Sequence, residues 1–125
     1  MIAMLLAALS PTRVHIARQR FGLQGLVQIH HIYPRQFRNH PVLRDYDLDD
    51  ESNLIMMPTQ RGAERLCIRD DRLVHDGGHP SYNRYVGKYL EHVKAMPPML
   101  RPVLLNNTQA ILRSEMRRHT FVPWE

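Results

Sequence analysis

A chain of 125 residues has room for one hydrophobic core, and its 43% hydrophobic and 23% charged residues are those of a folded domain rather than a disordered segment. The single cysteine, Cys67, excludes an intrachain disulfide and a cysteine-rich zinc site, so any metal must be held by imidazole and oxygen. Seventeen cationic side chains face twelve acidic ones; fifteen of the cations are arginine, and the first acidic residue is Asp45. Arginine's planar fork matches phosphate geometry, so the expected partner is an anion, nucleic acid first.

The apolar stretch Met1 to Leu9 falls short of the roughly 20 residues that span a bilayer and lacks a basic leader. It reads as one or two helical turns on the core, and no membrane partner is expected. The lone cysteine favours a reducing, intracellular setting; organellar targeting and delivery as a toxin stay open. Ser10-Pro11 then opens an amphipathic helix, with Val14, Ala17 and Phe21 on one side, and Gly22 stops it.

Leu26 to Ile32 reads as a short buried strand, and a polar excursion follows from Pro34 to Ser52. The second strand is Asn53 to Met57, stopped by Pro58. Between Thr59 and Val74 the pattern is weak and suggests at most a small hairpin of Arg65 to Ile68 with Arg72 to Val74. Gly77-Gly78 forces a turn. Pro80 starts a helix with the stripe Tyr82, Val86, Tyr89, Val93 and Met96, ended by Pro97-Pro98. A last helix is expected from Thr108 to His119, capped by Asn107, with Ile111, Leu112 and Glu115 to Met116 on its inner edge and Arg113, Arg117 and Arg118 outward. The whole is one α+β domain, residues 1–125, with flanking helices at about 1–22 and 107–119.

Of eight histidines, four fall in an informative order: His30-His31 end the first strand, and His75 and His79 bracket the glycine turn before Pro80. Neighbours on a strand point to opposite sides, so at a strand end one imidazole can face a metal and the other a substrate. His75 and His79 can converge across the glycines. Three imidazoles and an open position make a catalytic rather than a closed structural site, and an imidazole is a suitable general base near neutral pH. Arg35, Arg38, Arg61, Arg84 and Lys88 are the candidates for phosphate, Arg84 and Lys88 sharing one helix face. His15, His40, His92 and His119 read as incidental, with His40 in reserve. The acidic cluster Asp45, Asp47, Asp49, Asp50 and Glu51 lacks the glycine and alternation of a calcium loop and reads as solvated.

Three segments together, Gln28-Ile29-His30-His31-Ile32-Tyr33-Pro34, Asp49-Asp50-Glu51-Ser52-Asn53-Leu54 and His75-Asp76-Gly77-Gly78-His79-Pro80-Ser81-Tyr82-Asn83, resemble the HNH nuclease superfamily, and within it the AHH-type branch. Ile29 stands where that branch carries its name-giving alanine, and the insertion between Pro58 and His75 is long. The resemblance covers roughly residues 27 to 95. It implies a ββα-metal fold around one divalent ion, whether zinc, nickel, manganese or magnesium. It implies His30 and His79 as ligands, with His75 a ligand or the support of one. His31 would be the general base, and Asn53 would brace the loop and orient His31 by a hydrogen bond. The implied activity is a metal-dependent endonuclease on nucleic acid, DNA before RNA, with low sequence specificity. If the protein is a toxin, an immunity or inhibitor protein is a further partner. The competing expectation is a non-catalytic nucleic-acid-binding module in which the histidines, His31 included, close around a structural metal.

Overall fold

The structure, a computed structural model, describes residues 18–65 and 80–118. The expected turns over Met1 to Leu9, the helix start at Ser10-Pro11, the hairpin beyond Arg65, the Gly77-Gly78 turn, His75, His79 and His119 lie outside them. Two five-residue strands, β1 (Val27–His31) and β2 (Leu54–Pro58), pair antiparallel with His30 opposite Ile55 and His31 opposite Leu54. Around them lie α1 (Gln60–Arg65), α2 (Pro80–Lys94) and α3 (Arg101–Arg118). The class is α+β, with a small antiparallel sheet packed on helices. No described helix is long and apolar enough to cross a membrane.

The helix expected to end at Gly22 does so. Leu23 N donates to Arg18 O at 2.8 Å and Gly22 N to Gln19 O at 3.2 Å, with Gly22 at φ 63°. That reciprocal pair satisfies carbonyls left over at a helix end and needs the left-handed conformation glycine tolerates. The excursion between the strands is a chain of single 3-10 turns at Arg35–Phe37, Pro41–Leu43 and Glu51–Asn53. Its acidic residues build those turns: Asp47 accepts from Asp49 N at 3.0 Å, and Asp50 from both the backbone and the hydroxyl of Ser52.

The sheet has two dissimilar faces. Ile55 and Met57 join Ile32, Tyr33, Leu43, Tyr82, Val86, Leu90, Val93, Leu105, Leu112 and Met116 in the main core, while Val27, Met56 and Leu23 form a second cluster with Ile29. Residues opposite one another across a pair share a face. His30, opposite Ile55, therefore faces the main core, and His31 faces away from it.

Three expectations are corrected. The stretch after Pro58, expected to be irregular or a hairpin, begins with α1, capped by Thr59, whose hydroxyl accepts from Gly62 N at 3.0 Å. On α2 the buried stripe is Tyr82, Val86, Leu90 and Val93, with Tyr89 only half-buried. The last helix starts at Arg101, not after Asn107, because Pro102 sits in its first turn, where a missing N–H costs nothing. This earlier start gives the helix a different inner face: Leu105, Leu112 and Met116 are buried, Ile111 is 59% exposed, and Arg113 turns inward. Arg101 itself donates to Lys94 O at 2.8 Å and Met96 O at 3.3 Å, closing the end of α2.

Gly62 is the tightest point of this frame. A Cβ there would lie 1.7 Å from Leu26 O, the carbonyl that also accepts from Thr59 N at 3.0 Å. Gly62→Ala must push α1 off the sheet. The expected result is a loss of about 1–3 kcal/mol, read as a lower denaturant midpoint, with Gly87→Ala, which meets only the Phe37 ring at 3.3 Å, costing less.

Candidate functional site

The end of β1 presents two imidazoles to two environments. His30 is 4% exposed and meets the ring of Tyr82 edge-on, centroids 5.0 Å apart and planes at 63°. Tyr82 lies in the first turn of α2, and its hydroxyl donates to Ile32 O, so this helix is pinned to the residue after β1. Burial pushes the Tyr82 hydroxyl well above its ordinary pKa, keeping it a donor. His30 thus stands where α2 begins, and His79 is the residue immediately before Pro80 in sequence.

His31 opens on the other face. Its Nε2 lies 2.8 Å from Asp49 Oδ1, and Arg35 Nε approaches the same oxygen at 3.3 Å. The hydrogen bond from His31, assisted by Arg35, holds the Asp49 carboxyl below the usual carboxylate range. These three side chains line a groove of about 520 Å³ with Arg18, Gln28 and Leu54. The imidazole is 21% exposed, shielded but reachable.

Asn53 is 1% exposed, and its amide is fully used. Oδ1 accepts from Tyr33 N at 2.8 Å and from Gln109 Nε2 at 3.0 Å; Nδ2 donates to Tyr33 O at 3.0 Å and Leu48 O at 2.9 Å. It braces the loop between the strands. The hydrogen bond expected from Asn53 to His31 is not among these four; the group on His31 is Asp49. The distinction follows from geometry, since Asn53 points into the core and His31 away from it.

Among the phosphate candidates, Arg35 alone joins the His31 groove. Arg84 and Lys88 line a second groove, of about 730 Å³, with Gln36, Phe37 and Asn83, while Arg38 and Arg61 are exposed. His40 is engaged by Glu91 at 2.9 Å and by Val42 N at 3.3 Å, which removes it from reserve. Among the described residues no group of three His, Cys, Asp or Glu side chains could hold a metal; the two further imidazoles, His75 and His79, lie outside them.

Asp49 was the residue hardest to single out from sequence. One signal was there: it lies in the motif segment ending at Asn53-Leu54, four positions before Asn53, so the loop must return it towards the end of β1. Gln109 and Arg113 carried no signal, since α3 lies beyond the motif.

Comparison with known proteins gives one result. Residues 13–96, about two thirds of the chain, match the model of the AHH family, described as a nuclease family of the HNH/ENDO VII superfamily with conserved AHH. Searches of curated proteins and of solved structures return no significant match. With the paired histidines, the buried asparagine and the start of α2 all inside the matched span, the chain belongs to the AHH nuclease family.

Proposed function

We propose that this nuclease is an endonuclease with a ββα-metal centre, hydrolysing phosphodiester bonds of DNA with low sequence specificity. One observation carries the reading: His31 faces a groove in contact with a carboxylate, on the opposite face of β1 from His30. The donor chemistry suits a divalent ion, because His30 offers an imidazole walled by the Tyr82 ring at the opening of the helix that His79 precedes. In this reading His30, His75 and His79 hold the ion. When bound, it would polarise the scissile phosphate and stabilise the departing oxygen.

The chain's own groups do the rest. His31 Nε2–H donates to Asp49, which fixes the tautomer and leaves Nδ1 as the acceptor that takes the proton from the attacking water. Asp49 then stabilises the imidazolium. Arg35, with Arg84 and Lys88 on their own groove, holds phosphates by charge and so positions the strand without reading its bases. A closed structural site would need His31 as a fourth ligand beside His30, a role that the opposite facing of the two side chains disfavours.

His31→Ala is expected to reduce plasmid cleavage by about 10²–10⁴-fold while metal content and DNA affinity persist. His79→Ala is expected to lose metal first, with activity partly restored by added ion, and excess chelator to silence the wild type. Loss of metal on removing His31, with an inactive wild type, would instead favour the structural-metal module.

Asp49→Ala leaves the tautomer unspecified. It should lower kcat with KM little changed, and Asp49→Glu should recover part of the loss; an unchanged kcat would remove Asp49 from the mechanism.

DNA affinity should fall steeply with salt because arginine–phosphate contacts release counterions. Cleavage mapping should return dispersed cuts, and one short recognition sequence would contradict the low-specificity reading.

A further inference from the structure

The family match ends at residue 96, yet α3, which begins at Arg101, grips the site. Three of its residues, spaced four apart and so stacked along one stripe, hold the loop and strand ends around His31. Leu105 O accepts from the Tyr33 hydroxyl at 2.6 Å. Gln109 donates to Asn53 Oδ1 at 3.0 Å. Arg113 spreads its guanidinium over three carbonyls: Leu54 O at 2.9 Å from Nη1, and Glu51 O at 3.2 Å and Ser52 O at 2.5 Å from Nη2.

The placement of those carbonyls gives the contacts their meaning. Asp49, the partner of the His31 imidazole, lies two residues before Glu51, and Leu54 is the cross-strand partner of His31 itself. Arg113 therefore holds the segment between the two points where this loop touches His31. The guanidinium is partly buried; that burial, with Arg117 nearby, lowers its pKa, a cost a mere surface arginine would not carry. A lysine could not replace it, having no planar fork to reach carbonyls on three residues.

We propose that α3 is a positioning element of the nuclease site, with Gln109 and Arg113 fixing the 49–54 loop so that the Asp49 carboxylate meets His31. The proposal rests on the reading of His31 as the base. It assigns to the helix outside the family core a role in catalysis rather than in folding alone.

The test uses the full chain and four variants: Arg113→Met, which keeps the apolar stem and removes the fork, Arg113→Lys, Gln109→Ala, and Ile111→Ala on the exposed face of α3 as control. Arg113→Met should lower kcat by about ten- to a hundredfold, the effect of small misplacement at a reacting group, with KM for plasmid DNA within about twofold. Arg113→Lys should not rescue it, and Ile111→Ala should behave as wild type. Combined with Asp49→Ala, Arg113→Met should add nothing to the loss, because both act through one contact. Additive losses, a raised KM at constant kcat, or rescue by lysine would overturn the proposal. Should Arg113→Met fail to fold, Gln109→Ala, which removes one hydrogen bond, carries the same kcat and non-additivity tests. NMR of the His31 ring and the Asn53 side-chain amide gives a readout independent of cleavage. In Arg113→Met both sets of signals should move, and in Ile111→Ala neither. If the wild type is inactive, the function proposal fails while these spectra still decide whether α3 positions His31; unmoved His31 signals would refute that.

Discussion

The buried amide of Asn53 ties together parts of the chain that no continuous element joins. Its four hydrogen bonds reach both backbone groups of Tyr33 just beyond β1, Leu48 in the loop, and Gln109 on α3. A buried polar group left unmatched costs about 1–3 kcal/mol, so this position is stable only when every partner arrives together. The loop from Tyr33 to Asn53 has single turns but no long helix or strand to hold it, and this knot closes its two ends. The register of β1 on β2 follows: Ile32 N donates to Asn53 O at 2.8 Å, and the five pairs from His31–Leu54 to Val27–Pro58 run on from there.

A two-stranded ribbon is marginal by itself and needs packing on a face. Here both faces are used, and differently. The inner face supplies Ile55 and Met57 to the helices, and at its end His30 meets Tyr82 at the opening of α2. The outer face is covered near Leu23, Val27 and Met56 but opens at His31. Because strand residues alternate sides, the adjacent pair His30-His31 is divided between a buried apolar environment and an accessible charged one. On the proposed reading, that division separates the imidazole assigned to a metal from the one assigned to a water.

Much of this was legible in the residues. Strands over Leu26 to Ile32 and Asn53 to Met57, the stop at Gly22 and the helix from Pro80 follow from hydrophobic patterning and from proline and glycine chemistry. The stop and the helix start stand where that chemistry puts them. β1 is one residue shorter at each end, and β2 lies one residue further on, with Asn53 in the preceding turn and Pro58 paired with Val27. The paired histidines and Asn53 stood out because three segments matched one motif in order. The rest depended on contacts between positions far apart in sequence. Gln109 bonds a residue 56 positions away, and Arg113 reaches 62 positions back, distances over which local patterning says nothing. Treating Asn107 as a cap hid the first turns of α3. With them went the phase that Leu105, Leu112 and Met116 set, and so the inward turn of Arg113. α1 was missed for a related reason: at six residues it is too short to show a period, and its position is decided by Thr59 and Gly62 against Leu26.

On the proposed reading the site also has to reconcile a carboxylate with an anionic substrate. Asp49 orients His31, but a phosphate in the same groove would be repelled by it. The arrangement offsets this within the groove itself: Arg35 Nε lies 3.3 Å from the Asp49 oxygen that meets His31, and Arg18 lines the same groove. The carboxylate is ionised and partly neutralised at once, so its field acts on the imidazole at 2.8 Å more strongly than on a phosphate farther off. Asp49 is also largely exposed, so water and salt weaken its reach further. Short-range hydrogen bonding survives that screening, while long-range repulsion does not. An acidic residue can therefore sit inside a basic groove and support His31 in its proposed role without driving away an anionic strand.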